Sequence, residues 1–298
     1  MEILKSPHIH TLNCRGRLLS LEKPRVMGIL NLTPDSFSDG GKYTNMDQAL
    51  AQTERMLAEG ATIIDIGGYS SRPGAAHVSE AEELARIEAV TARILETFPE
   101  VIISVDTFRP GVARRVLDLG AHIINDITAG FGHPDSSPDA EDMFTVLARY
   151  GNVPLIVMHM AGTPQTMQNQ PPLQQVVSTV ADYLVGRVNA ARQAGLRDII
   201  LDPGFGFGKT LTQNYEMLLH SGRFVGLGLP VLAGISRKSM LYRLFDTTPD
   251  DVLPLAAALH LKLLEAGVHI LRVHDVREAA RMITLYEFLR SQLHDTPV

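Results

Sequence analysis

The sequence has little cysteine, no long apolar run and no block of basic residues, and each absence excludes a class of protein. Cys14 is the only cysteine among the 298 residues, which excludes an internal disulfide and is compatible with a reducing compartment. No apolar stretch approaches the length of a membrane-spanning helix. Lys and Arg form no basic arm and the net charge is −6, so nucleic-acid binding has little support.

The start of the chain also lacks the basic residues and apolar core of a signal peptide. We therefore expect a cytoplasmic protein with neither membrane nor nucleic-acid partners. Hydrophobic residues make up 45% of the chain and charged residues 20%, which is enough apolar material for a large packed core. The length suits one large domain or two small ones.

Short apolar runs alternate along the chain with longer segments of helical periodicity. The runs suited to buried parallel strands are 26–30, 62–66, 102–105, 122–124, 155–158, 199–201, 231–233 and 269–271. The helical segments are 46–59, 79–97, 110–119, 139–150, 173–194, 212–221, 251–265 and 276–292. Ser79 and Glu82 have the spacing of a capping box at the start of the second segment.

Eight β–α units in one chain favour a closed (β/α)₈ TIM barrel, an α/β fold, over an open sheet. We expect a single domain over residues 1–298, with the barrel at 24–292. Residues 1–20 fall outside the repeat, and we interpret them as an N-terminal hairpin or lid that covers the bottom of the barrel.

Nearly every predicted strand ends in a side chain that can hydrogen-bond, ionise or bind a metal. These side chains are Asn31, Asp65, Asp106, Asn125, His159, Asp202, Ser236, Arg237, Lys238, Arg272 and His274. At any single strand end, a simple turn former explains such a residue equally well. Only the barrel makes all of them converge, because its strands end at one rim.

The rim residues divide by charge into two sets. The carboxylates that could accept hydrogen bonds from a donor-rich ring are Asp65, Asp106 and Asp202. The side chains that could face an anion such as phosphate are Arg72, Lys238, Arg272 and His274. A substrate with a donor-rich heterocycle at one end and a phosphate group at the other would suit both sets.

Four segments carry a resemblance to a known family. They are NLTPDSFSDGG at 31–41, DIGGYSSRPG at 65–74, LDPGFGFGK at 201–209 and GISRKS at 234–239. Together with Arg272 and His274 after the last strand, they closely resemble the signatures of bacterial dihydropteroate synthases, pterin-binding enzymes of folate biosynthesis. The order and spacing match over essentially the whole chain. The resemblance implies condensation of a dihydropterin methyl diphosphate with p-aminobenzoate and release of pyrophosphate.

The resemblance also implies a role for individual residues. The pterin is expected to contact Asp106, Asn125, Met158, Asp202, Phe207 and Lys238. The diphosphate is expected to contact Asn31, Arg72, Arg272 and His274, with Mg²⁺ bound at Asn31. The p-aminobenzoate pocket is expected to comprise Phe37, Ser71, Arg72, Pro73, Phe207, Ser236 and Lys238. The residues expected to take part in catalysis are Lys238, Arg272, His274, Asp106 and Asp202.

Tyr69 departs from the family pattern, because many relatives have Glu at this position. We expect altered packing of the loop rather than lost chemistry, with sulfonamide sensitivity left open. Two alternatives remain, a non-catalytic pterin-binding paralogue and a pterin-dependent methyltransferase, although a methyltransferase would not need a diphosphate cluster. The family resemblance further suggests a homodimer formed through the last helices.

Overall fold

A computed structural model describes residues 10–32, 42–70, 78–132, 141–249 and 251–294 of the chain. Its main sheet contains eight parallel strands, β3 Arg25–Asn31, β4 Ile63–Gly67, β5 Ile102–Asp106, β6 Ile123–Asp126, β7 Leu155–Met158, β8 Ile199–Asp202, β9 Leu232–Ala233 and β10 Ile270–Val273. Neighbouring strands pair in the order β8-β7-β6-β5-β4-β3-β10-β9. A parallel bridge between Leu201 and Val231 joins the two ends, so the sheet curls into the predicted barrel.

The helices follow the strands in alternation and form the outer layer. Their bounds are α1 Lys42–Ala58, α2 Glu80–Thr97, α3 Pro110–Leu119, α4 Met143–Tyr150, α5 Val176–Gln193, α6 Leu211–Leu219, α7 Ser221–Val225, α8 Ser239–Tyr242, α9 Leu253–Glu265 and α10 Val276–His294. Apolar faces of the helices and outward-facing strand residues form one buried cluster between the two layers. No helix in the described ranges is long and apolar enough to cross a bilayer.

Several predicted helix limits were wrong. The segment predicted as one helix over 212–221 is two helices, with His220 serving as the C-cap of α6 and the N-cap of α7. The short helix α8 was not predicted. At α2 the Ser79 side chain accepts from the Glu82 backbone N–H, as expected for an N-cap. The Glu82 carboxylate, however, accepts from Arg86 at 2.6 Å, so the contacts include only one half of the predicted capping box.

An antiparallel hairpin, β1 Thr11–Cys14 with β2 Arg17–Ser20, covers the bottom of the barrel. Its buried side chains pack on the lowest layer of the barrel interior, in a cluster made of Leu12, Cys14, Leu19, Leu21, Met27, Ile63, Ile102, Ile123, Ile156, Ile200, Leu232 and Ile270. The Arg15 side chain, in the turn of the hairpin, donates hydrogen bonds to the carbonyls of Leu117 and Ala121 at 2.5 and 3.1 Å and so holds the turn against the barrel. The predicted hairpin is therefore confirmed, and the functional end of the barrel must be the opposite one.

Two buried histidines near the hairpin link folding to the pH. Nδ1 of His122 accepts from the backbone N–H of Ile103, and Nδ1 of His269 accepts from that of Val231. Burial, helped by Arg17 and Arg15 near His122 and by His10 near His269, lowers the pKa of each to about 4. In the unfolded chain a histidine titrates with a pKa of about 6.5.

We expect the contribution of these two histidines to the unfolding free energy to fall as the pH is lowered from 7 to 5. In the unfolded state both histidines bind protons below about pH 6.5, whereas in the folded state their rings stay neutral until about pH 4. The stabilisation from the two neutral rings is therefore present above pH 6.5 and is lost as the pH falls from 6.5 to 4. The full loss is on the order of 3 kcal/mol for each ring. Urea unfolding at both pH values measures it. His122→Asn, which keeps an acceptor but cannot titrate, should reduce the pH dependence; an unchanged dependence would contradict this account.

Candidate active site

The carboxyl ends of the barrel strands bring the predicted rim residues to one place. Asp106, Asn125 and Asp202 lie at or next to the last residues of β5, β6 and β8. Strand pairing sets Gly67 opposite Asp106 and Met158 opposite Asp202, so the ends are level with one another. Parallel barrels place ligands at this end. The sequence prediction that these strand ends share a rim is confirmed.

Arg272 of β10 connects two carboxylates across this rim. Its Nε lies 2.7 Å from Asp65 Oδ2 and its Nη2 lies 2.8 Å from Asp106 Oδ2. Asn125 Nδ2 donates to the same Asp65 oxygen at 3.1 Å. The Asp65 side chain is fully buried, whereas Arg272 and Asp106 remain 19% and 18% exposed. The network is therefore anchored inside the barrel and opens to a ligand through Asp106 and Arg272.

The charges of this network determine its protonation. Burial raises the pKa of Asp106 to about 7; Arg272 opposes the rise, and Asp65, Glu83 and Asp126 add to it. Burial would lower the pKa of Arg272, but Asp65 and Asp106 outweigh burial and raise it. Arg272 thus stays charged, whereas Asp106 can exchange a proton near neutral pH.

A second pair of opposite charges faces the first from β8 and the segment after β9. Asp202 Oδ1 accepts from the backbone N–H of Gly204 at 2.7 Å. Burial raises the pKa of Asp202, and Lys238 is the largest opposing charge. Burial lowers the pKa of Lys238 to about 8, with Asp202 opposing the shift and Arg272 adding to it. A buried lysine with a pKa this close to neutral is typical of functional sites.

Lys238 lies across the face of Phe207, with Nζ 4.4 Å from the ring centroid and donating to the carbonyl of Phe205. The chain reaches this position through Gly206, whose φ of +83° is unfavourable for other residues. A Cβ on Gly206 would also lie only 3.1 Å from Lys238 Cδ. Gly206 therefore allows close packing against Lys238.

One wall of the site is apolar. Its buried members are Tyr69, Val78, Phe108, Ile127 and Met158, with Met160 and Phe207 packed against them. Met158 and Phe207 were predicted to line a flat ring. A flat apolar wall beside buried carboxylates and a lysine can hold an aromatic heterocycle by its faces and by its polar edge at the same time.

Ser236 and His274, which the prediction assigned to different substrates, contact each other. The Ser236 hydroxyl accepts from the His274 backbone N–H at 3.2 Å, and its oxygen lies 3.2 Å from His274 Nδ1. Arg237 forms an ion pair with Asp275 at 2.7 Å. The helix after β9 begins at Ser239, three residues beyond Ser236. The assignment of Ser236 to the p-aminobenzoate pocket stays a prediction.

The sequence interpretation missed the positions of two charged residues. Asp65 was recognised as a rim carboxylate, but nothing in the sequence indicated that it pairs with Arg272. Lys209 was seen only as the end of a glycine-rich segment; its Nζ donates to the carbonyls of His159 and Gly204 at 2.9 and 2.7 Å. Burial lowers the pKa of Lys209 well below its usual value. A lysine that directly follows five alternating glycine and phenylalanine residues was the available signal.

Four of the predicted site residues, Phe37, Ser71, Arg72 and Pro73, lie outside the described residues. For Asn31, at the end of β3, a Cβ on Gly67 would lie 3.5 Å from its Oδ1 and 3.7 Å from Asp106 Cβ. The Asn31 amide oxygen therefore lies at the rim, near Asp106. Mg²⁺ prefers oxygen ligands and usually keeps few from the protein, so this donor set fits the ion. Within the described ranges, no group of three or more His, Cys, Asp or Glu side chains is arranged to hold a metal.

Comparison with known proteins identifies the family. The sequence profile of a family described as "Pterin binding enzyme" matches residues 27–274. The dihydropteroate synthase of Escherichia coli K12 is 43% identical over 275 residues, 92% of this chain and 94% of that protein.

Two solved structures are also similar. The Yersinia pestis dihydropteroate synthase in a sulfonamide drug complex has a TM-score of 0.86 and 40% identity, covering 95% of this chain and 100% of that one. The Xanthomonas albilineans dihydropteroate synthase with 4-aminobenzoic acid has a TM-score of 0.85 and 39% identity, covering 98% and 100%. On this match of sequence and fold, the chain belongs to the dihydropteroate synthase family of pterin binding enzymes.

Proposed function

We propose that this protein condenses 6-hydroxymethyl-7,8-dihydropterin diphosphate with p-aminobenzoate, giving 7,8-dihydropteroate and pyrophosphate. The observation that carries the proposal is a network of charged side chains and one amide at one barrel rim, in a chain 43% identical to a known dihydropteroate synthase. The network is formed by Asp65, Asp106, Asn125, Asp202, Lys238 and Arg272. Such a rim meets both needs of the reaction, a donor-rich ring to recognise and an anionic leaving group to stabilise.

The pterin end of the substrate binds deep in the barrel. The N–H groups of its amino-pyrimidine edge can donate hydrogen bonds to the carboxylates of Asp106 and Asp202 and to the amide oxygen of Asn125. The faces of the ring lie between Met158 and Phe207, and the Lys238 ammonium reaches the ring beside Asp202. This arrangement rests on the proximity of Lys238 to both Asp202 and Phe207.

The diphosphate lies toward Asn31, Arg72, Arg272 and His274. Asn31 would hold Mg²⁺, which when bound supplies positive charge to the leaving oxygens of the diphosphate. Arg272 has five N–H donors, and only its Nε and Nη2 are used by the two carboxylates, which is compatible with further donation to a phosphate. Arginine's planar fork suits such an anion.

The p-aminobenzoate approaches from the outer side of the pterin. The residues proposed to surround it are Phe37, Ser71, Arg72, Pro73, Phe207, Ser236 and Lys238. Lys238 and Phe207 thus contact both substrates. The position of the Lys238 ammonium over the Phe207 ring supports this assignment. An aryl amine is a neutral nucleophile, so positioning it beside the methylene carbon is a large part of what the protein must do.

The chemical step breaks the bond between the pterin methylene carbon and the diphosphate oxygen and forms a bond from that carbon to the amine nitrogen. The bonding pair of the broken bond leaves with pyrophosphate, and the nitrogen loses one proton. Positive charge that develops on the pterin is stabilised by Asp202 and Asp106, while Arg272 and His274 stabilise the leaving group. These charges are fixed in place before the reaction, which is the form of electrostatic stabilisation that lowers barriers most.

Release of pyrophosphate tests this proposal. The purified protein is given the pterin diphosphate with and without p-aminobenzoate and Mg²⁺. We expect rapid release only with both additions, whereas tight pterin binding without release would favour the non-catalytic paralogue. The diphosphate role assigned to Arg272 and His274 argues against the methyltransferase, which would transfer a methyl group instead.

The role of Asn31 can be tested separately. Replacing Asn31 with Ala should raise the Mg²⁺ concentration needed for half-maximal rate by roughly 10-fold, because loss of one ligand or its support typically costs 10- to 100-fold in metal affinity. The rate at saturating Mg²⁺ should recover in large part. Asn189→Ala, at an exposed position of the outer helix α5, serves as the control. A Mg²⁺ dependence identical to that of the unaltered protein would remove Asn31 from the metal site.

We further propose a cytoplasmic homodimer. Three exposed apolar residues of α10 support a partner surface on the last helix, because Leu285, Phe288 and Leu289 are 39%, 60% and 45% exposed. The only cysteine, Cys14, is buried, and burial raises its pKa to about 12, which suits a thiol that stays reduced and unreactive.

A further inference from the structure

Tyr69 is a buried part of the apolar wall of the site. It lies two residues beyond β4 and is 8% exposed. Its ring meets the Phe108 ring edge to face, with centroids 5.1 Å apart and planes at 88°. The Arg109 guanidinium lies 5.5 Å from the Tyr69 ring centroid and 4.9 Å from that of Phe108. The two rings and the guanidinium therefore form a packed cluster rather than a loose surface contact.

The backbone that carries Tyr69 is held firmly. Arg86 donates to the carbonyl of Gly68 at 2.9 Å. Gly68 itself packs so tightly on α2 that a Cβ there would lie 2.6 Å from Ile87 Cγ2. Arg109 in turn is bound by the buried carboxylate of Glu83. The ring of Tyr69 therefore has a fixed position, from which its hydroxyl can hold another part of the structure.

That other part is the segment between β7 and α5. The Tyr69 hydroxyl accepts a hydrogen bond from Gln165 Nε2 at 3.0 Å. At its beginning, the same segment lies against the glycine-rich segment after β8, because a Cβ on Gly208 would lie 2.5 Å from the Ala161 carbonyl oxygen. Ala161 N–H also points to the Phe207 carbonyl at 3.4 Å. One side-chain hydrogen bond thus connects the end of β4 with the segment that supports Phe207.

We propose that Tyr69 is a positioning residue that acts through Gln165 on the wall formed by Met158, Met160 and Phe207, and so sets the affinity for the pterin ring. The inference rests on the proposed function.

The expected kinetic effect follows from where the wall acts. The faces of the pterin ring touch the wall equally before and during loss of pyrophosphate, so its placement contributes uniform binding. Losing uniform binding raises KM and leaves kcat nearly unchanged. A purely structural role would lower thermal stability without separating KM from kcat.

Tyr69→Phe tests the proposal by removing the hydroxyl and keeping the ring. We expect KM for the pterin diphosphate to rise about 3- to 10-fold, the range of a single net hydrogen bond, with kcat within about 2-fold. Gln165→Ala, at an exposed side chain that folding should tolerate, should give the same rise. The double variant should add nothing further, because both changes remove one interaction.

Tyr150→Phe is the matched control. Its hydroxyl donates to Asp118 at 2.6 Å between outer helices, remote from the rim, so KM should not change. Unchanged KM in both Tyr69→Phe and Gln165→Ala, a fall in kcat alone, or additive effects in the double variant would each overturn the proposal. These kinetic comparisons require that the unaltered protein turns over. If the unaltered protein shows no turnover, the proposed function itself is contradicted. Equilibrium binding of dihydropterin to the same variants then decides the role of Tyr69.

Discussion

Replacing Lys238 with Met should lower kcat/KM by about 10²- to 10³-fold, the loss typical when a preorganised charged donor is removed from an active site. The ammonium lies within reach of Asp202 and over the ring of Phe207, where it can touch both substrates. Methionine retains an unbranched apolar stem against Phe207, so the fold should survive. Steady-state kinetics and a thermal unfolding curve measure the two effects.

The pH dependence of kcat/KM tests the role of Lys238 in a second, independent way. With a pKa lowered to about 8, Lys238 is mostly protonated below pH 8 and roughly one tenth protonated at pH 9. If the ammonium form is required, kcat/KM falls above pH 8 in the unaltered protein, and this decline disappears in Lys238→Met. Lys262→Met, on the outer face of α9 where the lysine pairs with Glu265, is the control and should behave as the unaltered protein. Near-normal activity of Lys238→Met would remove Lys238 from the site.

Replacing Arg272 with Met should damage both activity and stability. The change leaves Asp65 and Asp106 buried without their shared cation, which typically costs about 3–5 kcal/mol of unfolding free energy. Arg272 opposes the rise in the pKa of Asp106, so without it that pKa rises further and Asp106 becomes protonated at pH 7. We expect kcat/KM to fall by more than about 10³-fold, because leaving-group stabilisation and pterin recognition are lost together.

A double variant separates the two losses. Asp65→Asn combined with Arg272→Met removes one buried charge together with its partner, so part of the unfolding free energy should return while activity stays low. Arg277→Met, whose partner Glu59 lies on the outer layer, is the matched control. Full stability in the single Arg272→Met variant would show that the ion pairs with Asp65 and Asp106 carry no net energy, and would contradict the network described above.

The alternation of short apolar runs and helical segments was sufficient to predict the barrel, but it placed several strand ends one or more residues too early. β5, β6 and β8 each end in aspartate, at Asp106, Asp126 and Asp202. A buried carboxylate interrupts the hydrophobic pattern while backbone pairing continues, as the pairs Gly67 with Asp106 and Met158 with Asp202 demonstrate. The strand limits were thus missed at the residues that contribute to the site.

The sequence predicted which residues lie at the rim, but it did not predict which of their side chains contact one another. Strand ends in a barrel converge by topology, so any polar residue there could be assigned to one end. The ion pair between Arg272 and Asp65 spans 207 positions of sequence and depends on the side chains' rotamers, which no local pattern records. The same holds for the contact between Ser236 and His274, and for the hydrogen bond from Gln165 to Tyr69.

The central claim is that this rim joins the pterin to the amine, and a single-turnover experiment tests it most directly. The protein is held in excess over the pterin diphosphate, with Mg²⁺ and labelled p-aminobenzoate, and the products are separated after one turnover. The account predicts one dihydropteroate and one pyrophosphate for each pterin diphosphate consumed. Recovery of the intact diphosphate, or of hydroxymethyl pterin formed by hydrolysis without labelled product, would contradict it.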